Sequence, residues 1–146
     1  MISTTTHLNF PGTAREALEF YGSVFGAVTL STYADFGMPA DAPGADRIVF
    51  GRVEGADGIR LLGYDIPGQS AAASGWTRRE NGVTLTDRPF FQSLSADSLD
   101  ELTGYWEALS VGAEIVEPLA ASAWSPGFGM LTDRFGVTWT LDVRTA

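Results

Sequence analysis

The sequence predicts an α+β fold built from two βαβββ modules, because two internal repeats and one recurring order of strands and helices run through it. The first repeat aligns residues 50–62 with residues 128–140 at an offset of 78. The second aligns residues 10–25 with residues 94–109 at an offset of 84. Self-similarity at this scale indicates that one structural unit occurs twice. Because the offsets differ by six residues, the first half is expected to carry an insertion between its helix and its hairpin.

The hydrophobic pattern divides each half into strand, helix, strand, strand and strand. The predicted strands lie near residues 5–10, 28–34, 46–54, 59–65, 90–95, 114–118, 127–132 and 137–143. The predicted helices lie near residues 14–25 and 98–110, where apolar residues recur at helical spacing. Thr13 and Asp97 stand just before these helices, where a side-chain oxygen can cap the first turn. We therefore predict that both residues act as N-caps.

The whole chain is predicted to form one domain. Its parts are a first module at about 1–66, a linker at about 67–88 and a second module at about 89–146. Turn-forming residues mark the insertion at 35–45. Residues 68–75 consist mostly of glycine, serine and alanine, a composition typical of a flexible linker. Residues 76–80 are expected to form either a solvated loop anchored by Trp76 or a recognition patch.

Composition excludes several classes of function. The chain has a net charge of −9, and its nine basic residues are all arginines, so an acidic surface is expected to repel nucleic acid. There is no cysteine, which removes disulfides and thiolate metal sites, and no lysine, which removes Schiff-base chemistry. No stretch has the length and hydrophobicity of a membrane span, and the N-terminus does not resemble a signal peptide. A cytoplasmic location is the expectation.

Two segments carry a resemblance to a known family. They are Arg-Glu-Ala-x-x-Phe-Tyr at 15–21 and Asp-Arg-Phe-Gly-Val-x-Trp at 133–139. With these segments the chain resembles the vicinal oxygen chelate (glyoxalase, bleomycin resistance protein and extradiol dioxygenase) superfamily, and most of all its PhnB-like, demethylubiquinone methyltransferase-like branch. The resemblance implies that the modules form a curved mixed sheet around a pocket and that the protein is a homodimer. A methyltransferase activity does not follow, because the glycine-rich loop of a nucleotide-binding strand–helix unit is missing.

The resemblance also implies where a metal ion would bind in metal-dependent relatives. Carried over position by position, the ligands would be His7, Leu62, Phe91 and Thr140. Divalent ions need imidazole nitrogens or carboxylate oxygens, and only His7 provides one of these. Asp142 lies about 6–7 Å beyond Thr140 along the strand and is expected to be solvated. We therefore predict neither a metal ion nor another cofactor.

The remaining pocket residues predict an amphipathic cavity. Strand alternation turns Leu8 and Phe10 toward the helix and His7 and Asn9 toward the cavity. The predicted ligand-binding residues are His7, Asn9, Arg60, Leu62, Tyr64, Phe91, Ser93, Trp124, Phe128 and Thr140. Aromatic and methionine residues cluster in two predicted loops, with Tyr33, Phe36 and Met38 in the first and Trp124, Phe128 and Met130 in the second. They could stack on a planar ligand, or they could form core or dimer contacts. A mixed lining of this kind suits a small organic molecule.

Three functions follow as hypotheses. The first is a metal-independent small-molecule binding protein whose physiological ligand the sequence does not name. The alternative is a metal-dependent or His7-assisted lyase, isomerase or dioxygenase-type enzyme of the same superfamily, with His7 as a general base. The third is a structural or interaction module that acts as a homodimer. The catalytic residues of any enzyme of this kind are unknown from the sequence.

Overall fold

The computed structural model describes residues 1–70 and 75–145 and divides the chain into two compact units, residues 1–73 and 74–146. In the described residues, each unit contains one α-helix and a four-stranded sheet in the order strand, helix, strand, strand, strand, and the first unit adds short 3₁₀ helices at Ala34–Phe36 and Ala56–Gly58. The predicted α+β fold with two βαβββ modules is therefore confirmed. Among the described residues, no helix is both long enough and apolar enough to cross a membrane.

The first unit is built from four strands and one long helix. Its elements are β1 (His7–Phe10), α1 (Ala14–Phe25), β2 (Gly26–Thr32), β3 (Ile48–Gly55) and β4 (Arg60–Asp65). The strands are ordered β1-β4-β3-β2 across the sheet. β1 runs parallel to β4, and the other two pairs are antiparallel.

The second unit repeats this arrangement and adds a hairpin before it. Its elements are β5 (Thr77–Glu80), β6 (Val83–Thr86), β7 (Gln92–Ala96), α2 (Leu99–Leu109), β8 (Glu114–Ala120), β9 (Phe128–Thr132) and β10 (Thr138–Val143). The four-stranded sheet has the order β7-β10-β9-β8, with β7 parallel to β10. β5 and β6 pair only with each other, as an antiparallel hairpin.

The β5–β6 hairpin corrects the prediction of an irregular stretch between the modules. Residues 76–80 were expected to form a loop, but Thr77–Glu80 is a strand. The turn is made by Asn81 and Gly82, which both have positive φ, at 52° and 75°. Asn-Gly between two alternating segments is a strong hairpin signal, because both central residues of such a turn need positive φ. Of the predicted flexible segment 68–75, residues 71–74 lie outside the described part of the chain.

Each helix packs on its own sheet at a glycine of β3 or β9. These glycines are Gly51 and Gly129, which the repeat at offset 78 aligns. A Cβ added at Gly51 would overlap Leu18 Cδ1, and one added at Gly129 would lie 2.6 Å from Trp106 Cζ3. The Phe-Gly pair at the start of both hairpins is therefore explained by packing, because the helix side chain occupies the space that a Cβ would need.

The N-cap prediction is right for the position of Thr13 and wrong for Asp97. Thr13 precedes α1 but makes no side-chain capping bond. The Ala14 N–H instead donates to Asp65 Oδ1 (2.9 Å), and Asp65 Oδ2 also accepts from the Ile48 N–H (2.9 Å). In the second unit the cap is Ser98 rather than Asp97, and its Oγ accepts from the Glu101 N–H. Asp65 was missed because a cap supplied from a distant strand leaves no local sequence signal.

Candidate functional site

The predicted site residues of the first unit share the face of its sheet that points away from α1. His7 is paired with Leu62, and Asn9 with Tyr64, across β1 and β4. His7 and Asn9 are exposed, whereas the intervening Leu8 is buried. The rings of His7 and Tyr64 meet edge to face, with centroids 6.4 Å apart. This face therefore presents an imidazole and a phenol beside an apolar Leu62.

Arg60 lies on the same face but is engaged at the surface. Its Nε is 3.9 Å from Glu54 Oε1, and Arg52 Nε is 3.6 Å from the same oxygen. All three side chains are substantially exposed. Exposed ion pairs of this kind contribute little stability, so Arg60 is able to exchange Glu54 for another anion at small cost.

In the second unit, the strand register places a different residue at one of the four predicted metal-ligand positions. Thr140 is paired with Ser93 on β7 and with Met130 on β9. Because His7 is paired with Leu62, and Leu62 aligns with Thr140, the counterpart of His7 is Ser93. The sequence repeat gave Phe91 this place and was therefore wrong by two residues. Phe91 precedes β7 and is not paired in the sheet.

In neither unit do the side chains at the predicted metal-ligand positions suit a divalent ion. The first unit has His7 and Leu62 there, which offer one imidazole, and the second unit has Ser93 and Thr140, which offer two hydroxyls. No group of three His, Cys, Asp or Glu side chains able to hold a metal ion occurs within residues 1–70 and 75–145. Asp142 lies opposite Phe128, and its carboxylate accepts a hydrogen bond from Ser95 Oγ. A metal-binding role for these positions has no donor set to support it.

The β5–β6 hairpin packs on the second unit's sheet, on the face away from α2. The Arg79 guanidinium lies 5.2 Å from the centre of the Phe128 ring. Arg79 Nη1 donates to Thr84 Oγ1 (2.9 Å), and Thr84 Oγ1 in turn donates to Met130 Sδ (3.6 Å). Phe128 and Met130 project from the same face of β9 as Thr140 does from β10, because these positions alternate with Gly129 and Leu141. The hairpin thus places the Arg79 guanidinium on the sheet face that carries Phe128, Met130 and Thr140.

Arg79 is a candidate site residue that the sequence analysis did not single out. Its Nε is buried and has no hydrogen-bond partner within residues 1–70 and 75–145. The same is true of Arg88 Nε and Gln92 Nε2 in this unit. Residues 77–86 alternate around an Asn-Gly turn, and this pattern could have placed Arg79 on the inward face of a hairpin.

Trp124 extends the site with an aromatic surface. Its ring centroid lies 4.8 Å from that of Phe128, at an interplanar angle of 59°. Trp124 is 55% exposed, whereas Met130, two residues after Phe128 on the same face of β9, is buried. A side chain of this size left in solvent beside a second ring and a cation provides a stacking surface for a flat molecule.

The Asp-Arg-Phe-Gly segment that carried the resemblance has a structural role here. Asp133 is buried, and its Oδ1 accepts from the N–H groups of Phe135 and Val137. Its Oδ2 accepts from Trp139 Nε1 at 2.9 Å. Asp133 therefore fixes the β9–β10 turn and orients Trp139 on the α2 side of the sheet.

Comparison with known proteins agrees with this architecture. Residues 7–141 match the model of the Glyoxalase/Bleomycin resistance protein/Dioxygenase superfamily. The chain is 26% identical to Protein YjdN of Escherichia coli K12 over 143 residues, which cover 94% of this chain and 92% of that one.

Solved structures share the fold. Protein PA1353 from Pseudomonas aeruginosa superposes with a TM-score of 0.79 at 26% identity, covering 100% of both chains. The PhnB protein from Bacillus cereus gives a TM-score of 0.68 at 23% identity, covering 98% of this chain and 100% of that one. Since the family model spans nearly the whole sequence, the chain belongs to the Glyoxalase/Bleomycin resistance protein/Dioxygenase superfamily.

Proposed function

We propose that this protein binds a small planar organic molecule that carries a hydrogen-bond acceptor, and that it does so without a metal ion. The ligand lies against the second unit's sheet, beside the β5–β6 hairpin. The observation that carries the proposal is the buried Nε–H of Arg79, which has no acceptor among the described residues. The assignment to the PhnB-like branch, made from residues 15–21 and 133–139, is part of this proposal.

An unpaired buried donor has a free-energy cost that a ligand can remove. Leaving such a group unsatisfied costs about 1–3 kcal/mol, and more for a charged group. Thr84 already accepts from Nη1 and the Phe128 ring covers one side of the guanidinium, so its position is fixed before binding. A carboxylate or carbonyl oxygen at Nε would gain a charge-assisted hydrogen bond without ordering the arginine first.

The aromatic and hydroxyl groups around Arg79 define the rest of the ligand. Trp124 and Phe128 provide ring surfaces for a flat body. Ser93 and Thr140 face each other across β7 and β10 and present hydroxyls on the same side of the sheet. A few polar groups on an apolar surface is the usual composition of an organic-ligand site.

On the first unit, His7 is proposed as a contact for a ligand bound to that unit's own sheet face, rather than as a catalytic base. A general base of this kind is normally oriented by a carboxylate. Among the described residues, His7 has a ring contact to Tyr64 but forms no ion pair with an acidic side chain. Asn9, Arg60, Leu62 and Tyr64 are proposed as contacts on the same face. The homodimer and the cytoplasmic location stay predictions.

Binding of 2-naphthoate tests the proposal, because this probe is flat and carries one carboxylate. We expect saturable quenching of tryptophan fluorescence that is unchanged by a chelator. Replacing Arg79→Gln should weaken binding about tenfold, equivalent to about 1.4 kcal/mol. Arg79→Lys, which keeps the charge but loses the inward Nε, should weaken it as well.

The matched control is Arg78→Gln. Arg78 lies on the opposite side of the same strand, is exposed and pairs with Glu80 at 2.9 Å. Its loss changes the net charge equally, so binding within twofold of wild type is expected. 2-Methylnaphthalene, which lacks the acceptor, should bind the wild type and Arg79→Gln alike. Equal naphthoate affinity in all variants, or loss of binding on chelation, would overturn the proposal.

A further inference from the structure

The insertion predicted in the first unit forms an ordered loop between β2 and β3. Residues 33–47 are held by hydrogen bonds from the Tyr33 N–H to Arg47 O (3.0 Å) and from the Ala34 N–H to Ala45 O (2.9 Å). In the second unit, residues 121–127 make the equivalent connection with about half as many residues. A loop that is longer than the connection requires and is internally bonded is a common place for a binding site.

This loop and the segment after β4 enclose a cleft of about 290 Å³. Its walls are mostly apolar and include Tyr33, Met38, Pro43 and Pro67. One cation, Arg47, lines it, together with the polar Gln69 and Ser70. The cleft lies within the first unit and is distinct from the sheet face that carries His7.

Arg47 is held in place by its surroundings. Its Nη1 donates to Gln69 O (2.8 Å), and its own backbone N–H donates to Gly44 O (3.1 Å). The guanidinium also lies close to Gly12, since a Cβ added there would be 3.0 Å from Arg47 Cζ. No described carboxylate forms an ion pair with Arg47. The cleft therefore contains a half-buried, oriented positive charge with donors to spare.

We propose that this cleft is a second ligand site, which takes a small monocarboxylate with an apolar tail. The carboxylate pairs with the guanidinium of Arg47, and the tail lies against Met38, Pro43 and Pro67. A single fixed cation at an otherwise apolar wall favours a ligand with one negative group over a polyanion. Tyr33 serves as a wall, because its hydroxyl already donates to Asp65 O (2.8 Å).

The signals of the methionine methyl groups distinguish binding in this cleft from binding near Arg79. The chain has three methionines, and Met38 lines the cleft, Met130 lies under the hairpin and Met1 is exposed. In protein labelled with ¹³C at the methionine methyls, octanoate should shift the Met38 signal in a saturable way and leave Met130 unmoved. 1-Octanol, which lacks the charge, should bind at least tenfold more weakly.

Variants at Arg47 test whether its guanidinium binds the carboxylate of octanoate. Arg47→Gln should abolish the octanoate-dependent shift of Met38, and Arg47→Lys should retain part of it because the charge remains. A thermal unfolding transition like that of the wild type shows that both variants are folded, because Met130 reports only on the second unit. Octanol binding as tightly as octanoate, a Met38 shift that survives Arg47→Gln, or a shift of Met130 alone would each refute the second site. Naphthoate binding at Met130 can fail or succeed independently of these results.

Discussion

The two units use different polar groups at the same corner of their sheets, where the end of the last strand lies beside the start of the strand before it. In the first unit the Asp65 carboxylate, at the end of β4, binds the Ile48 N–H at the start of β3 and the Ala14 N–H of α1. In the second unit the position aligned with Asp65 is Val143. There Ser125 Oγ accepts from the N–H groups of Gly127 and Val143, so a neutral hydroxyl joins β9 to β10.

This difference shows which features of the duplicated unit are free to diverge. The register between the last two strands, the twin glycines and the helix position are common to both units, because a shift in any of them would misplace core side chains. The polar group at the corner and the N–H groups that it binds both differ, since Asp65 accepts from Ala14 and Ile48 whereas Ser125 accepts from residues 127 and 143. The sheet faces that point away from the helices differ as well. That of the first unit carries the His7–Tyr64 pair, and that of the second unit carries the hairpin with Arg79.

The largest effect is expected from removing the charged corner. Asp65→Ala leaves two buried N–H donors unpaired and should lower the free energy of unfolding by about 3–5 kcal/mol, since each bond to a charged group contributes about 1.5–3 kcal/mol. Ser125→Ala should cost about 1–3 kcal/mol. Urea unfolding of both variants at one pH measures the difference. Equal losses would show that the two corners are energetically equivalent.

The twin glycines should differ in the same direction but by less. Gly51→Ala should destabilise by about 2–3 kcal/mol, because Leu18 is fully buried and cannot move away from the new methyl. Gly129→Ala should cost about 1 kcal/mol, since Trp106 is only half-buried and can shift outward. Thermal unfolding compares the two. Combining Gly51→Ala with Leu18→Ala should cost less than the sum of the two single changes, and strict additivity would argue against the contact.

The smallest effect concerns Tyr33, for which the second unit has no aligned tyrosine. Burial, then the negative charge of Asp65 and the presence of Tyr64, raise the pKa of Tyr33 above its ordinary value. Because the folded protein holds the proton more tightly, this stabilisation is present below about pH 10 and is lost as the pH rises through the folded pKa. The absorbance titration of wild type minus that of Tyr33→Phe should show one phenol with a midpoint above 10. A midpoint at or below 10 would contradict it.

Local patterns predicted the secondary structure well, whereas contacts between distant residues escaped them. α1 begins and ends where the pattern placed it, because its apolar spacing is unbroken. The Phe91 position was wrong, since the offset taken from the helices does not carry over to β7. The Asp65 cap and the cleft at Arg47 depend on residues brought together by folding. Arg79 was missed because the Asn-Gly turn was assigned to a linker.

The ¹⁵N-arginine spectrum of the protein tests the central claim most directly. The Nε–H signal of Arg79 is identified by its loss in Arg79→Lys. Addition of 2-naphthoate should move this one signal in a saturable way, as an acceptor replaces the missing hydrogen-bond partner, while 2-methylnaphthalene leaves it in place. An Arg79 Nε–H signal that stays unmoved at saturating naphthoate would contradict the proposed role of Arg79 in binding a small molecule.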